Sequence, residues 1–210
     1  MQVDRITEGL WRWTAFHEEW KHDVGCVYVE SDDAVCLVDP LVPPEDRERF
    51  LAALDRDVER LGVPVHILVT VHWHARSARE LAERYGAEVW ALSRARAAVE
   101  RRTGPVRTFR PGDALPGGVA AHATARSTEV VFYLPAQRSL VTGDVIVGAD
   151  GGALRLCPAS WLPAGVGHDE LRASLRPLLE LSVERVLVSH GTPVLEGGAH
   201  ALDRLLRAEP

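Results

Sequence analysis

The segment Thr70-Val71-His72-Trp73-His74 follows directly on the apolar run VPVHILVTV (63–71). In extended backbone, side chains at i and i+2 point the same way. His72 and His74 then present two imidazoles to one point, an arrangement that suits a borderline-soft cation such as zinc. Taken alone, the pair also fits two polar residues at a strand end. Two further groups stand in the same kind of place. Asp144 follows the apolar residues of LVTGDVIVG, behind Gly143, and His190 follows VERVLVS, before Gly191. Each has an ordinary structural use, Asp144 as a turn former and His190 as a hydrogen-bonded loop residue. Together they become a site if the fold gathers the C-terminal tips of these runs at one edge.

The elements that would gather them are legible as alternating strands and helices. VGCVYVE (24–30), the polar turn SDD (31–33) and AVCLVD (34–39) read as a hairpin ended by Pro40, Pro43 and Pro44. Residues 46–62 read as an amphipathic helix, with Phe50, Leu51, Leu54, Val58 and Leu61 at helical spacing and Gly62 closing it. The β-branched run 63–71 reads as a strand buried on both faces. A helix over 77–86, a strand over 87–92 and a helix over 93–104 follow. VRTF (106–109), GVAAHAT (118–124), EVVFYL (129–134) and SLVTGD (139–144) read as successive antiparallel strands. After a Gly- and Pro-rich loop (148–167) come a helix (168–181), a last buried strand (183–189) and a last helix (199–208). Strands mixed with helices in both halves predict two sheets packed face to face with helices outside.

Composition narrows the class. A chain of 210 residues, 46% hydrophobic and 26% charged, is expected to fold as one globular domain over 1–210. Its formal charge of -6 argues against a nucleic-acid partner. No apolar run approaches the ~20 residues of a membrane span, and the start MQVDRITEGLW does not read as a signal peptide. Three cysteines (Cys26, Cys36, Cys157) without CxxC spacing fit a reducing cytoplasm better than a disulfide framework. Trp11, Trp13 and Trp161 could cover a homodimer contact or the core.

The blocks LVDP (37–40), HWHARS (72–77), EVVFYLP…LVTGD (129–144) and VLVSHG (186–191), in this order and spacing, resemble the metallo-β-lactamase-fold superfamily, including glyoxalase II-like hydrolases. The resemblance runs through nearly the whole chain. It implies an α/β (α+β) αββα sandwich with the site along one edge of two sheets. The departures are specific. The family's HxHxDH becomes His72-Trp73-His74-Ala75-Arg76-Ser77, so Arg76 replaces an aspartate and Ser77 a histidine. Ala125 falls where the family has a third histidine. His122 lies three residues early, about 10 Å away and facing the opposite side in extended backbone.

Of the family's seven ligand positions, the resemblance thus keeps His72, His74, Asp144 and His190. It implies a hydrolase of a small ester, thioester or lactone-like substrate using at most one zinc or other divalent ion. In it, His72, His74 and Asp144 hold the ion, His190 relays protons and Arg76 binds a substrate anion. The alternative is a metal-free member that binds a ligand or acts as a scaffold. Arg76 either points inward and pairs with Asp144 or turns outward. Ser77 and Glu80 read as a capping box, and Asp39 as a hydrogen-bonding support for the metal loop. His17, Trp20 and His22, in FHEEWKHD, lie on a loop that either contacts substrate or simply packs. His66 reads as a satisfied core histidine.

Overall fold

The computed structural model describes residues 2–207, so Ala208, where the last helix is expected to end, lies outside the described residues. A seven-stranded sheet forms the first half. Its strands are β1 (Gln2–Thr7), β2 (Leu10–His17), β3 (His22–Glu30), β4 (Val35–Val38), β5 (Val65–Val69), β6 (Glu88–Leu92) and β7 (Arg107–Phe109). They lie in sequence order, antiparallel from β1 to β4 and parallel from β4 to β7. The second sheet contains β8 (Ala120–Ala123), β9 (Val130–Leu134), β10 (Ser139–Thr142) and β13 (Arg185–Val188) in the order β13-β10-β9-β8. Between β10 and β13 a small hairpin is made by β11 (Ile146–Ala149) and β12 (Ala153–Leu156).

The helices are α1 (Arg47–Leu61), α2 (Ala78–Tyr85), α3 (Arg96–Thr103), α4 (His168–Leu175) and α5 (Gly198–Arg207). The strand period of two shows how they are layered. Along β9, Val130, Phe132 and Leu134 join the core shared with the first sheet, α1, α2 and α3. Val131 and Tyr133 join a second core with Leu171 and Leu175 of α4 and Leu202, Leu205 and Leu206 of α5. The result is the helix–sheet–sheet–helix sandwich expected from the sequence. Among the described residues, no helix is long and apolar enough to cross a membrane. Cys26, Cys36 and Cys157 are buried and unpaired.

Three expectations are corrected. VRTF does not open an antiparallel run; β7 pairs parallel to β6 at the edge of the first sheet. The helix over 168–181 ends at Leu175 and continues only as a 3-10 turn, Arg176–Glu180, because Pro177 removes a backbone donor. Ser77 forms no capping box: its Oγ accepts from Val42 N at 2.9 Å, and Glu80 pairs with Arg47.

Candidate metal centre

Four strand ends and one hairpin converge on the site: β4 brings Asp39, β5 leads to His74 and Arg76, β10 to Asp144 and β13 to His190. The β2–β3 hairpin, whose last pair is His17 with His22, overhangs them. The chain does not stay extended past β5. Val71 is extended at φ -146, but His72–Ala75 forms a 3-10 turn that packs against α3. At three residues per turn, i and i+2 face different sides. His74 therefore turns into the sandwich and is fully buried. His72 is carried away, edge-on to Trp73 at 4.2 Å. Its pKa is lowered by burial and then by Arg102, Arg126 and Arg101. The expectation that His72 shares an ion with His74 is thus corrected: among the described residues, the group able to hold one is His74, Asp144 and His190, with ligand atoms all within 4.8 Å of one another.

Each of the three is oriented from behind. His74 Nδ1 donates to Asp39 Oδ2 at 2.9 Å, and Thr70 N donates to Asp39 Oδ1 at 2.8 Å. His74 Nε2 then lies 3.1 Å from Asp144 Oδ1, yet has no hydrogen-bond partner among the described residues. His190 Nε2 lies 3.0 Å from the same oxygen. The other oxygen, Oδ2, is held by Trp73 Nε1 and by Arg126 Nη1 at 3.3 Å. The Asp144 carboxylate is thereby divided, one oxygen fixed to the protein and one facing two imidazoles.

Arg126 is the residue that sequence reasoning missed. Its guanidinium is buried over the Trp73 ring at 4.7 Å, donates to Glu129 Oε2 at 3.0 Å and also reaches the Trp161 carbonyl. Glu129 in turn accepts from the backbone of Asp144 at 2.6 Å and of Val145 at 2.8 Å. The signal available was position alone: Arg126 adjoins Ala125, where the resembling family has a histidine. Arg76 does line the cavity, but it does not pair with Asp144. It donates to the Asp39 carbonyl at 2.9 Å, the Gly25 carbonyl at 3.3 Å and Ser189 Oγ at 2.9 Å, all neutral acceptors. Arg76 (φ 31) and Asp39 (φ 50) both hold positive φ angles that cost a side-chain-bearing residue strain.

Electrostatics follow the contacts. Burial pushes the Asp144 carboxyl up, but the hydrogen bond from His190, the close approach of His74 and the charges of both outweigh it and hold it below the carboxylate range. Burial and Arg76 pull His74 down, yet Asp39 and Asp144 leave it raised. Burial leaves His190 lowered despite Asp144. Glu129 is pushed up to about 7 by burial and by Asp144.

The group opens into a cavity of about 820 Å³ walled by Trp20, Trp73 and Trp161, with His17, His22 and Arg102 at its lining. Trp20 stacks on His17 at 4.0 Å and lies over the Arg76 guanidinium at 5.7 Å. His17, Trp20 and His22 of FHEEWKHD therefore belong to the site wall. His122 stays apart on β8, its Nε2 buried without a partner among the described residues. His66 accepts from Trp90 Nε1 at 3.2 Å.

This fold agrees with what comparison with known proteins finds. A family model described as metallo-beta-lactamase superfamily matches residues 4–208, and the chain belongs to that superfamily. Among solved structures, the chain is similar to the DIM-1 metallo-β-lactamase (TM-score 0.71, 15% identity, 96% of this chain and 95% of that one). It is also similar to a metallo-β-lactamase from Pontibacter korlensis (TM-score 0.68, 18% identity, 99% of each chain). A third is FIM-1 from Pseudomonas aeruginosa in its mono-zinc form (TM-score 0.68, 14% identity, 98% of this chain and 94% of that one). No curated protein matches the chain in sequence.

The superfamily implies a metal, and the residues present fit one ion. Two imidazole nitrogens and one carboxylate oxygen suit zinc. Ligand atoms ~2.0–2.1 Å from a tetrahedral ion lie ~3.3 Å apart, close to the 3.0 and 3.1 Å observed here. The unpartnered, fully buried His74 Nε2 is the clearest sign, since a buried imidazole nitrogen aimed at a carboxylate and another imidazole lacks only the group that all three would bind. Where the second ion's ligands would stand, Arg76 and Ser77 replace them.

Proposed function

We propose that this chain is a hydrolase of a small ester, thioester or lactone-like substrate that uses a single divalent ion, zinc by its donor set, held by His74, Asp144 and His190. The observation that carries the reading is the divided Asp144 carboxylate, whose Oδ1 meets two histidine nitrogens while Oδ2 is anchored. When bound, such an ion supplies a water of pKa near ~7 and polarises a carbonyl.

The chain's own residues do the rest. Asp39 sets the His74 tautomer by accepting from Nδ1. Arg76 offers a positive charge bonded only to neutral acceptors, so it can compensate a substrate carboxylate or a developing oxyanion. Trp20, Trp73 and Trp161 form an apolar wall that takes a flat substrate body and excludes water. His190, placed as a ligand with Asp144, is assigned to holding the ion rather than relaying protons.

A second reading, a metal-free ligand-binding protein, draws on Arg126, a built-in cation already bonded to Asp144. The two separate in one assay. Aryl esters, thioesters and lactones bearing a carboxylate are offered to the zinc-loaded protein, to the chelator-treated protein and to His74→Ala. The hydrolase reading expects turnover in the first alone. Ligand binding without metal-dependent turnover of any of these substrates supports the second reading instead.

A further inference from the structure

We propose that His22 is a positioning residue for the ion: its imidazole fixes His190 in the tautomer whose Nε2 offers a lone pair to the metal. The inference rests on the single-ion reading above. With the ion on His190 Nε2, the direction of the hydrogen bonds is decided at the Trp20 end. The Trp20 carbonyl oxygen lies 3.0 Å from His22 Nδ1 and can only accept, so His22 Nδ1 carries the proton. A neutral His22 then has only a lone pair at Nε2, which lies 3.2 Å from His190 Nδ1. The proton between the two rings therefore sits on His190 Nδ1. That leaves the lone pair of His190 Nε2 to the ion; without the ion, the same nitrogen lies 3.0 Å from Asp144 Oδ1, an acceptor that draws the proton to Nε2.

The opposite arm has the same logic. Asp39 is an acceptor, His74 Nδ1 donates to it, and His74 Nε2 is left bare. A backbone carbonyl and a carboxylate, one at each end, thus aim two imidazole lone pairs at one point. Partners on the far nitrogen of a metal-bound histidine hold its ring and raise its basicity.

His22 is held for this by the hairpin. It opens β3 opposite His17, the last residue of β2. Trp20 stacks between the neighbouring rings, 4.0 Å from His17 and 6.1 Å from His22. The His22 and His190 rings meet edge to face, 5.0 Å apart at 75°. The outer edge of His22 is open to solvent, so the hairpin rather than burial fixes its place.

The test is zinc affinity, by competition with a chromophoric chelator, for wild type, His22→Leu, His22→Gln and His17→Leu. The expected result is a ~10–100-fold weaker affinity for His22→Leu. His22→Gln should regain most of it, since its carboxamide oxygen can accept from His190 Nδ1. His17→Leu, which disturbs the hairpin without touching His190, should stay near wild type. Long-range proton–nitrogen spectra of the zinc-loaded protein give a readout independent of affinity. They should show the protons of His190 and of His22 both on Nδ1. Unchanged affinity in His22→Leu, no recovery in His22→Gln, or a His22 proton on Nε2 overturns the inference and leaves the single-ion reading standing. A wild-type protein that binds no zinc overturns both.

Discussion

Replacing Arg126 by leucine should be among the most damaging single changes near the site. Its Nη1 lies 3.0 Å from Glu129 Oε2 and 3.3 Å from Asp144 Oδ2, and all three side chains are at most 7% exposed. At an effective dielectric of ~20, each contact has a gross attraction of about 5 kcal/mol. Desolvation of the guanidinium cancels much of that. Its removal, however, leaves two carboxylates facing each other in a dry site. Breaking a buried pair in this way costs ~3–5 kcal/mol. For a chain of this size that lowers Tm by roughly 6–20 °C. Thermal melts in the presence of a chelator measure it without any contribution from metal. The mechanism is separable from lost packing by a double variant. In Arg126→Leu/Glu129→Gln the introduced carboxamide oxygen can still accept from the backbone of Asp144 and Val145, but one of the stranded charges is gone. The double variant should therefore recover about half of the loss, the coupling expected of contacting charges. A single variant that melts within about 2 °C of wild type, or a double variant no better than the single, would refute the reasoning.

Three further outcomes follow from the same contacts. Glu129, pushed up to about 7 from an ordinary 4.5, holds its proton more tightly folded than unfolded, so its contribution to stability falls as pH rises through that window. Melts of the zinc-free Glu129→Gln variant should accordingly gain on wild type between those pH values; parallel curves would contradict this. Arg76→Met should raise KM for a carboxylate-bearing substrate more than for its neutral analogue, and lower Tm by freeing the carbonyls of Gly25 and Asp39. Equal effects on both substrates would assign Arg76 a structural role alone. Gly143→Ala would place a Cβ 2.7 Å from Glu129 Oε1 and from Thr70 Oγ1. Such overpacking costs ~1–3 kcal/mol and displaces Asp144, so zinc titration should show weaker binding; wild-type affinity would mean the loop absorbs the added methyl.

The sandwich was legible because its strands are short apolar runs closed by Gly, Pro and Asp, and because the two residues that cap such runs, Asp144 and His190, fall where strand tips meet. What the sequence concealed has local causes. His72 and His74 look alike in a period of two, and only the 3-10 turn after Val71 separates the buried one from the one that leaves. β2 carries no clean strand pattern because Arg12, buried and bonded to the Val188 carbonyl at 3.3 Å, interrupts the apolar run of LWRWTAFH, and β1 is a polar edge strand with no buried residue. The inward-facing Arg76 was foreseeable, but two of its acceptors are backbone carbonyls, of β3 and of the residue after β4, and such groups leave no trace in side-chain identity. Arg126 meets Asp144 from 18 residues away across the sheet, a separation no motif records. The hairpin histidines were visible as a polar loop; that they close over the site depends on the register that sets His17 against His22.

The central claim is that one ion sits on His74, Asp144 and His190, with His72 outside the site. Elemental analysis of zinc-equilibrated protein, with His72→Ala and His74→Ala alongside wild type, tests it most directly. The account predicts one zinc per chain in wild type, one in His72→Ala and a near-complete loss in His74→Ala. Two zinc ions per chain, or none, or a loss in His72→Ala equal to that in His74→Ala, would contradict it.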